Sequence, residues 1–266
     1  MAVEMLSYAF MRRALLAGGL VGIVCAVVGT FVVLRNLPFI GAGIAHSAFG
    51  GVAFGVLVGV NPLFSALFFC LLVAWLVGYS TRHGRMKEDV AIGIYFTSTM
   101  ALGIIFISLI EEYTVDLFGY LFGSILAVTP TTLYMTAFLS VCVVGLVGLF
   151  YKDLIFISFD PEQARVVGVN ESFLYYLLLG LIAVTIVASI RVVGILLVST
   201  LLVTPAAAAH QLSRRFNIMM PLAIVFGVVS TVGGVIVSYY LDVPPGATIV
   251  LLSTAIFVGA LFLPAK

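Results

Sequence analysis

A histidine stands alone in one of the most apolar stretches of this 266-residue sequence. His46 lies in FIGAGIAHSAFGGVAFG (39–55), which holds no charged residue and, apart from Ser47, no conventional polar side chain. Ionisable groups inside such segments usually face the interior of a bundle and mark a route or a relay. A neutral imidazole is also a common metal ligand, suited to zinc and several other transition metals. The residues leave a second reading open: an imidazole hydrogen-bonded to a carbonyl of a neighbouring helix. One histidine does not complete a zinc site, which usually takes four ligands. A two-fold dimer would present two copies, and water or other helices the remainder.

Three further segments carry distinctive chemistry. In KDLIFISFDPEQARVVGVN (152–170), Asp160 is placed to cap a helix, Pro161 suits its first turn, and Gln163 completes a pattern like a capping box. The expected helix, 161–167, ends at Gly168 and shows Ala164 and Val167 on one side and charges on the other. Such a helix suits docking into a groove of another protein; an ordinary capped loop helix is the alternative. In VVGILLVSTLLVTPAAAAHQL (192–212), Pro205 permits a kink. Ala206 to Ala209 give a smooth surface for close packing or a narrow path, and His210 falls near the inner end. In SYYLDVPPGATIVLL (238–252), Tyr239 and Tyr240 form an interfacial pair, and Asp242 is placed to cap the last helix or meet an outside partner. Asp116 and the Glu111–Glu112 pair would attract cations at an outer mouth, or simply form a solvated acidic loop.

Other chemistry is missing. There is no GxxxxGK[ST] phosphate loop, no HExxH and no GxSxG. Cys25, Cys70 and Cys142 lie far apart in apolar runs, without zinc-ligand spacing. A net charge of +1 without a basic stripe argues against nucleic acid as a partner.

The elements that must position these residues follow from composition. The chain is 63% hydrophobic and 9% charged, where a soluble domain carries about 25% charged residues. With a mean hydropathy of +1.29, its solvent is the bilayer. A spanning helix takes about 20 residues, so at most about ten spans fit, with no room for a soluble domain of ordinary size. Apolar runs at about 14–34, 39–60, 62–79, 92–110, 131–151, 172–190, 192–212, 218–241 and 246–265 are expected to be helices, since spanning backbone must satisfy its own hydrogen bonds. The first is expected to be a retained helix, not a cleaved signal. Glu111 to Pro130 is too short and interrupted to span, and reads as an outer segment that partly re-enters or as a surface helix. Placing the 80–91 loop in the cytoplasm puts nine basic residues inside and three (Arg12, Arg13, Arg191) outside. Eight or nine spans fit, nine being preferred here, although eight would bring Arg12 and Arg13 inside.

Taken in order, these segments resemble a known family, the zinc/manganese/iron-type permeases of ABC importers. The marks are AHSAFGGVAFG (45–55), VDLFGYLFGSILAVTP (115–130), FDPEQARVVGV (159–169), VGILLVSTLLVTPAAAA (193–209) and YYLDVPPGATIVLL (239–252). The likeness is greatest to zinc-uptake permeases, with manganese-type members close behind. The resemblance implies an all-α polytopic transmembrane bundle, residues 1–266 forming a single permease domain of the cell (inner) membrane. It implies a homodimer that works with two separate ATPase subunits and an extracytoplasmic metal-binding protein. The chain itself would be no enzyme and would bind no cofactor; a divalent ion, zinc or manganese, is cargo. The 159–168 segment would be the coupling helix that fits the ATPase, through Asp160, Pro161, Glu162 and Ala164. His46 would line the metal route, with Asp116 a further ligand, and Pro205 and His210 would serve pathway or gating. Many members carry an aspartate one turn before the histidine; here that position is Ala42. A less charged route of this kind would slightly favour zinc. The rival readings are a permease for a metal chelate of the cobalamin or siderophore type, an ATPase-independent carrier or channel, and a scaffold subunit without transport.

Overall fold

A computed structural model describes residues 7–84, 86–110, 117–123 and 128–263. Every apolar run named above is a helix. These are α1 (Ala9–Leu34), α2 (Pro38–Val58), α3 (Pro62–His83), α4 (Glu88–Ser108), α6 (Pro130–Leu149), α9 (Glu171–Val193), α10 (Ile195–Leu212), α11 (Phe216–Leu241) and α12 (Pro245–Leu261). Between them lie three short helices, α5 (Leu117–Phe122), α7 (Tyr151–Phe159) and α8 (Pro161–Val166). Seven are long and apolar enough to cross a membrane; α10 and α12 are apolar but shorter. Of the 111–130 segment, α5 packs against α9 and α10, and most of the rest lies outside the described residues.

The helix starts are written locally. Proline occupies the first turn of α2, α3, α6, α8 and α12, where a missing N–H costs nothing. Asn61, Thr129 and Asn170 cap α3, α6 and α9 through their side-chain oxygens. Asp242 does not cap the last helix: it ends α11 in the left-handed conformation (φ 54°), and Pro244 precedes α12 without a side-chain cap. Its short polar side chain tolerates that geometry better than most.

Packing sorts the helices. α1, α2 and α9 are the most enclosed of the long helices, while α4 and α6 are the most open. α2 lies against α4 on one side and α3 on the other, and α1 against α11. Glycine makes these crossings close, as small residues do in membranes. A Cβ on Gly50 would stand 2.5 Å from the backbone oxygen of Thr99 in α4, and one on Gly227 would stand 2.5 Å from that of Gly22 in α1. Across the α2–α4 seam the hydroxyls of Ser47 and Thr99 meet at 3.1 Å.

Alternation puts Arg35, Arg82, Lys87, Lys152, Arg165, Arg214 and Arg215 at one end of the bundle, and Arg12, Arg13 and Arg191 at the other. The richer end is the cytoplasmic one by the positive-inside rule. The α1–α2 turn at this end is tight. Leu37 N–H donates to the Val32 carbonyl (3.0 Å) and Asn36 N–H to that of Val33 (3.1 Å), with Asn36 at φ 55°. That is a Schellman closure with asparagine in the left-handed position.

The seam makes a measurable demand. Gly50→Ala should destabilise the detergent-solubilised protein by about 2 kcal/mol through overpacking, a fall of roughly 4–8 °C in thermal midpoint for a chain of this size. Gly145→Ala in α6, whose new methyl would meet nothing within 4 Å, should leave the midpoint unchanged or raise it. Equal effects at the two positions would remove close approach as the reason for Gly50.

Candidate functional site

His46 is half-buried on α2, at the edge of a groove between α2 and α4 with a volume of about 400 Å³. Phe39, Ala42 and Gly43 continue the α2 wall; Asp89, Ile92, Gly93 and Phe96 form the α4 wall. The spacing on α2 is that of one helical face. The imidazole lies against the Phe96 ring, centroids 4.9 Å apart and planes tilted by 48°. Among the described residues its nitrogens have no hydrogen-bond partner, so the carbonyl-bonded alternative is not what the structure has. Ser47, next in sequence, turns inward and donates to the Gly43 carbonyl (2.8 Å), leaving the groove to the histidine.

Asp89 is the groove residue that sequence reasoning missed. It stands in the first turn of α4, two turns, or roughly 10 Å, nearer the cytoplasm than Phe96. In the sequence it is one of a run of charges, Lys87–Glu88–Asp89, indistinguishable from any solvated loop. Its start-of-helix position was readable; its place in the wall of this groove was not. Among the described residues no three histidine, cysteine or acidic side chains gather into a metal cage. The groove therefore offers one imidazole and, further in, one carboxylate.

The capped helix of the cytoplasmic loop is present as α8. Asp160 Oδ1 accepts the Gln163 N–H at 2.9 Å, Pro161 takes the first turn, and Gly168 (φ 91°) closes it. One expectation is corrected. Ala164 and Val167 do not share a side: Ala164 is fully buried against the bundle, whereas Val166 and Val167 are 88% and 72% exposed. A six-residue helix lying on a bundle must bury one stripe, and the methyl of Ala164 is small enough to let it lie flat. Its exposed residues are Glu162, Gln163, Arg165, Val166 and Val167.

Behind α8 sits the second group missed in sequence. Glu171, the first residue of α9, is only 6% exposed. Arg82 at the end of α3 donates to its Oε1 (2.6 Å) and to the Ser172 hydroxyl (2.6 Å). Arg165 of α8 donates to Oε2 from Nε (2.7 Å) and from Nη2. Arg35 in the α1–α2 turn stands off at 3.8 Å from Oε1, and its buried Nη1 has no hydrogen-bond partner among the described residues. Burial pulls the Arg35 guanidinium below the usual arginine pKa, and Glu171 pulls it back up. The Tyr175 ring lies beneath both Arg82 (4.7 Å) and Arg35 (5.4 Å), and its hydroxyl donates to Glu88 Oε1 at 2.6 Å. In the sequence Glu171 merely precedes an apolar run; the partners that make it a hub come from elements 89 and 136 residues away.

Pro205 and His210 are not among the residues that line the groove. Asp116 lies outside the described residues. Helix α10 runs unbroken through Pro205, and Ala206 and Ala209 pack with Ala26, Met219 and Ala223, so this stretch is a packing seam between α1 and α11. His210 is half-buried in the last turn of α10, at the cytoplasmic end, and does not line the groove. Cys25 and Cys70 are buried and Cys142 half-buried, all free thiols.

Comparison with known proteins fits this geometry. Residues 7–264 match the model of the ABC 3 transport family. The manganese transport system membrane protein MntC of Halalkalibacterium halodurans is 38% identical, over 99% of this chain and 90% of its own length. A probable iron transport system membrane protein of Haemophilus influenzae is 36% identical, over 97% and 95%. The solved structure of PsaBC from Streptococcus pneumoniae in complex with Fab superposes with a TM-score of 0.89 at 34% identity, covering 99% of this chain and 96% of that one. The chain belongs to the ABC 3 transport family, the metal-type ABC importer permeases that its motifs resemble: a multi-pass cell-membrane subunit whose ATPase is a separate chain.

Proposed function

We propose that this chain lines the translocation route of an ATP-driven importer for a divalent first-row transition metal, manganese ahead of iron, with the α2–α4 groove as its wall. The observation that carries the reading is His46, an imidazole with free nitrogens inside an apolar helix, open to a groove whose inner end bears Asp89. Facing lipid, such a ring would be costly; facing a second copy of the same groove across a two-fold axis, it borders a wet passage. Homodimerisation is thus part of the proposal, with an extracytoplasmic binding protein delivering the ion and two ATPases driving alternating access.

The choice of ion departs from the zinc leaning of the sequence motifs. That leaning rested on the likeness of the motifs to zinc-uptake permeases and, slightly, on Ala42 leaving the route less charged. Asp89 returns a carboxylate, and oxygen donors with water suit manganese. The similar proteins are named for manganese and iron transport, and zinc finds no specific support among them. One or two protein ligands at a time suit passage, since a route must release what it accepts.

On the cytoplasmic face, α8 is the element proposed to meet the ATPase. Val166 and Val167 present apolar surface to water, beside the cap formed by Asp160 and Pro161 and the charge of Glu162. Ala164 contributes by seating the helix and does not touch the partner.

Two experiments test these assignments. In proteoliposomes holding the whole importer, His46→Ala and Asp89→Asn should each cut manganese uptake about ten-fold or more while leaving the complex assembled, a loss of about 1.4 kcal/mol of transition-state stabilisation. Wild-type uptake by both variants would remove the groove from the route. Separately, Val166→Asp should release the ATPase on co-purification, with the permease still folded by its thermal midpoint. Retention of a fully active ATPase would remove α8 as the docking helix.

A further inference from the structure

The Glu171 carboxylate gathers four elements, α8 through Arg165, the α1–α2 turn through Arg35, α3 through Arg82 and α9 itself; a fifth, α4, reaches the cluster through Glu88, which accepts the hydroxyl of Tyr175 beneath two of those arginines. Two of these lead straight to the groove. Arg35 immediately precedes α2, with the rigid Schellman turn between them, and α2 carries His46. Glu88 is the first residue of α4, adjacent to Asp89. The α2 wall is therefore linked to α8 through the Glu171 carboxylate, and the α4 wall through Tyr175, one turn further along α9.

We propose that Glu171 is the positioning residue that transmits movement of α8 to α2 and α4, and so switches the groove between its two sides. The inference rests on the reading of α8 as the ATPase-docking helix. The geometry supplies the mechanism. Glu171 has two oxygens: Arg165 holds Oε2, while Arg82 holds Oε1 and Arg35 stands 3.8 Å from Oε1, just beyond hydrogen-bond range. Among the described residues Arg35 also keeps a buried N–H group unbonded. When the ATPase draws α8 outward, Arg165 leaves the carboxylate, and a buried carboxylate does not tolerate the loss of its partner. Arg35 closes onto it through Nη2, the nitrogen that stands nearest the carboxylate. The same displacement tilts the α1–α2 turn and the start of α2. Through Tyr175, whose ring carries both arginines and whose hydroxyl holds Glu88, it shifts the start of α4. The two arrangements differ in which arginine is bonded and not in net charge, which suits a two-state element.

The test uses the complete importer, with permease, ATPase and binding protein, in proteoliposomes, reading manganese uptake and ATP hydrolysis on the same samples. Arg165→Gln and Arg35→Gln should keep the ATPase bound and hydrolysing but lower ions moved per ATP by about ten-fold, within the usual range of coupling between sites. Glu171→Gln should do the same if it folds, and Glu171→Asp, which keeps the charge, should recover part of the ratio. A merely structural cluster would lower thermal midpoint and uptake while leaving the ion-to-ATP ratio at its wild-type value. That ratio in both arginine variants overturns the proposal. If Val166→Asp strips the ATPase while the arginine variants couple normally, only the role of Glu171 falls. If Val166→Asp assembles and couples normally, the docking reading falls and takes this proposal with it.

Discussion

A carboxylate withdrawn from water must be met on each oxygen by a donor, because the effective penalty for burying it alone is several kcal/mol, or about the size of a domain's whole stability margin. In this permease that requirement is concentrated at Glu171. Satisfying it draws in arginines from three separate stretches of chain, and each brings its helix end along. The cytoplasmic ends of α1, α3 and α9 are thereby held together with α8, in a molecule whose remaining contacts are mostly apolar and non-directional. Within lipid, dispersion and close backbone approach hold the helices side by side. They fix distance well and register poorly. The charged cluster supplies the register.

The same division of labour explains the groove. Gly50 lets α2 and α4 approach until their backbones nearly touch, and the Ser47–Thr99 contact pins the seam. Gly43 lets Ile92 close against the α2 backbone, where a Cβ would collide with its Cγ2, while Ala42 and Gly93 border the open groove in which His46 lies against Phe96. The imidazole is thus held by packing on one face, with its nitrogens uncommitted. A hydrogen bond to a neighbour would have fixed the ring more firmly and consumed the very atoms a cation needs.

The fold was legible from the sequence because the bilayer leaves a chain few choices. Nine apolar runs of adequate length became nine helices, and proline and capping residues marked their starts to within a few positions. The cap at Asp160 and the closure at Gly168 were equally local and equally readable. His46 stood out by contrast with its surroundings. Asp89 and Glu171 did not, since an acidic residue at the start of a helix is unremarkable and its meaning comes from partners far along the chain. Ala164 shows the complementary failure: spacing put it on one side with Val167, whereas in so short a helix Ala164 is buried against the bundle and Val167, at its end, is exposed.

The order of donors along the groove has a kinetic corollary. On the reading proposed above, an inbound ion meets the nitrogen of His46 first and the oxygens of Asp89 about two turns later, beside open water. A carboxylate at position 42 would have sat one turn from the histidine and merged the two stops into a single deep well. Spread apart, they form a shallow staircase in which no landing holds its occupant for long. Such a conduit favours throughput over dwell time, and leaves the discrimination between similar ions to the protein that loads it from outside.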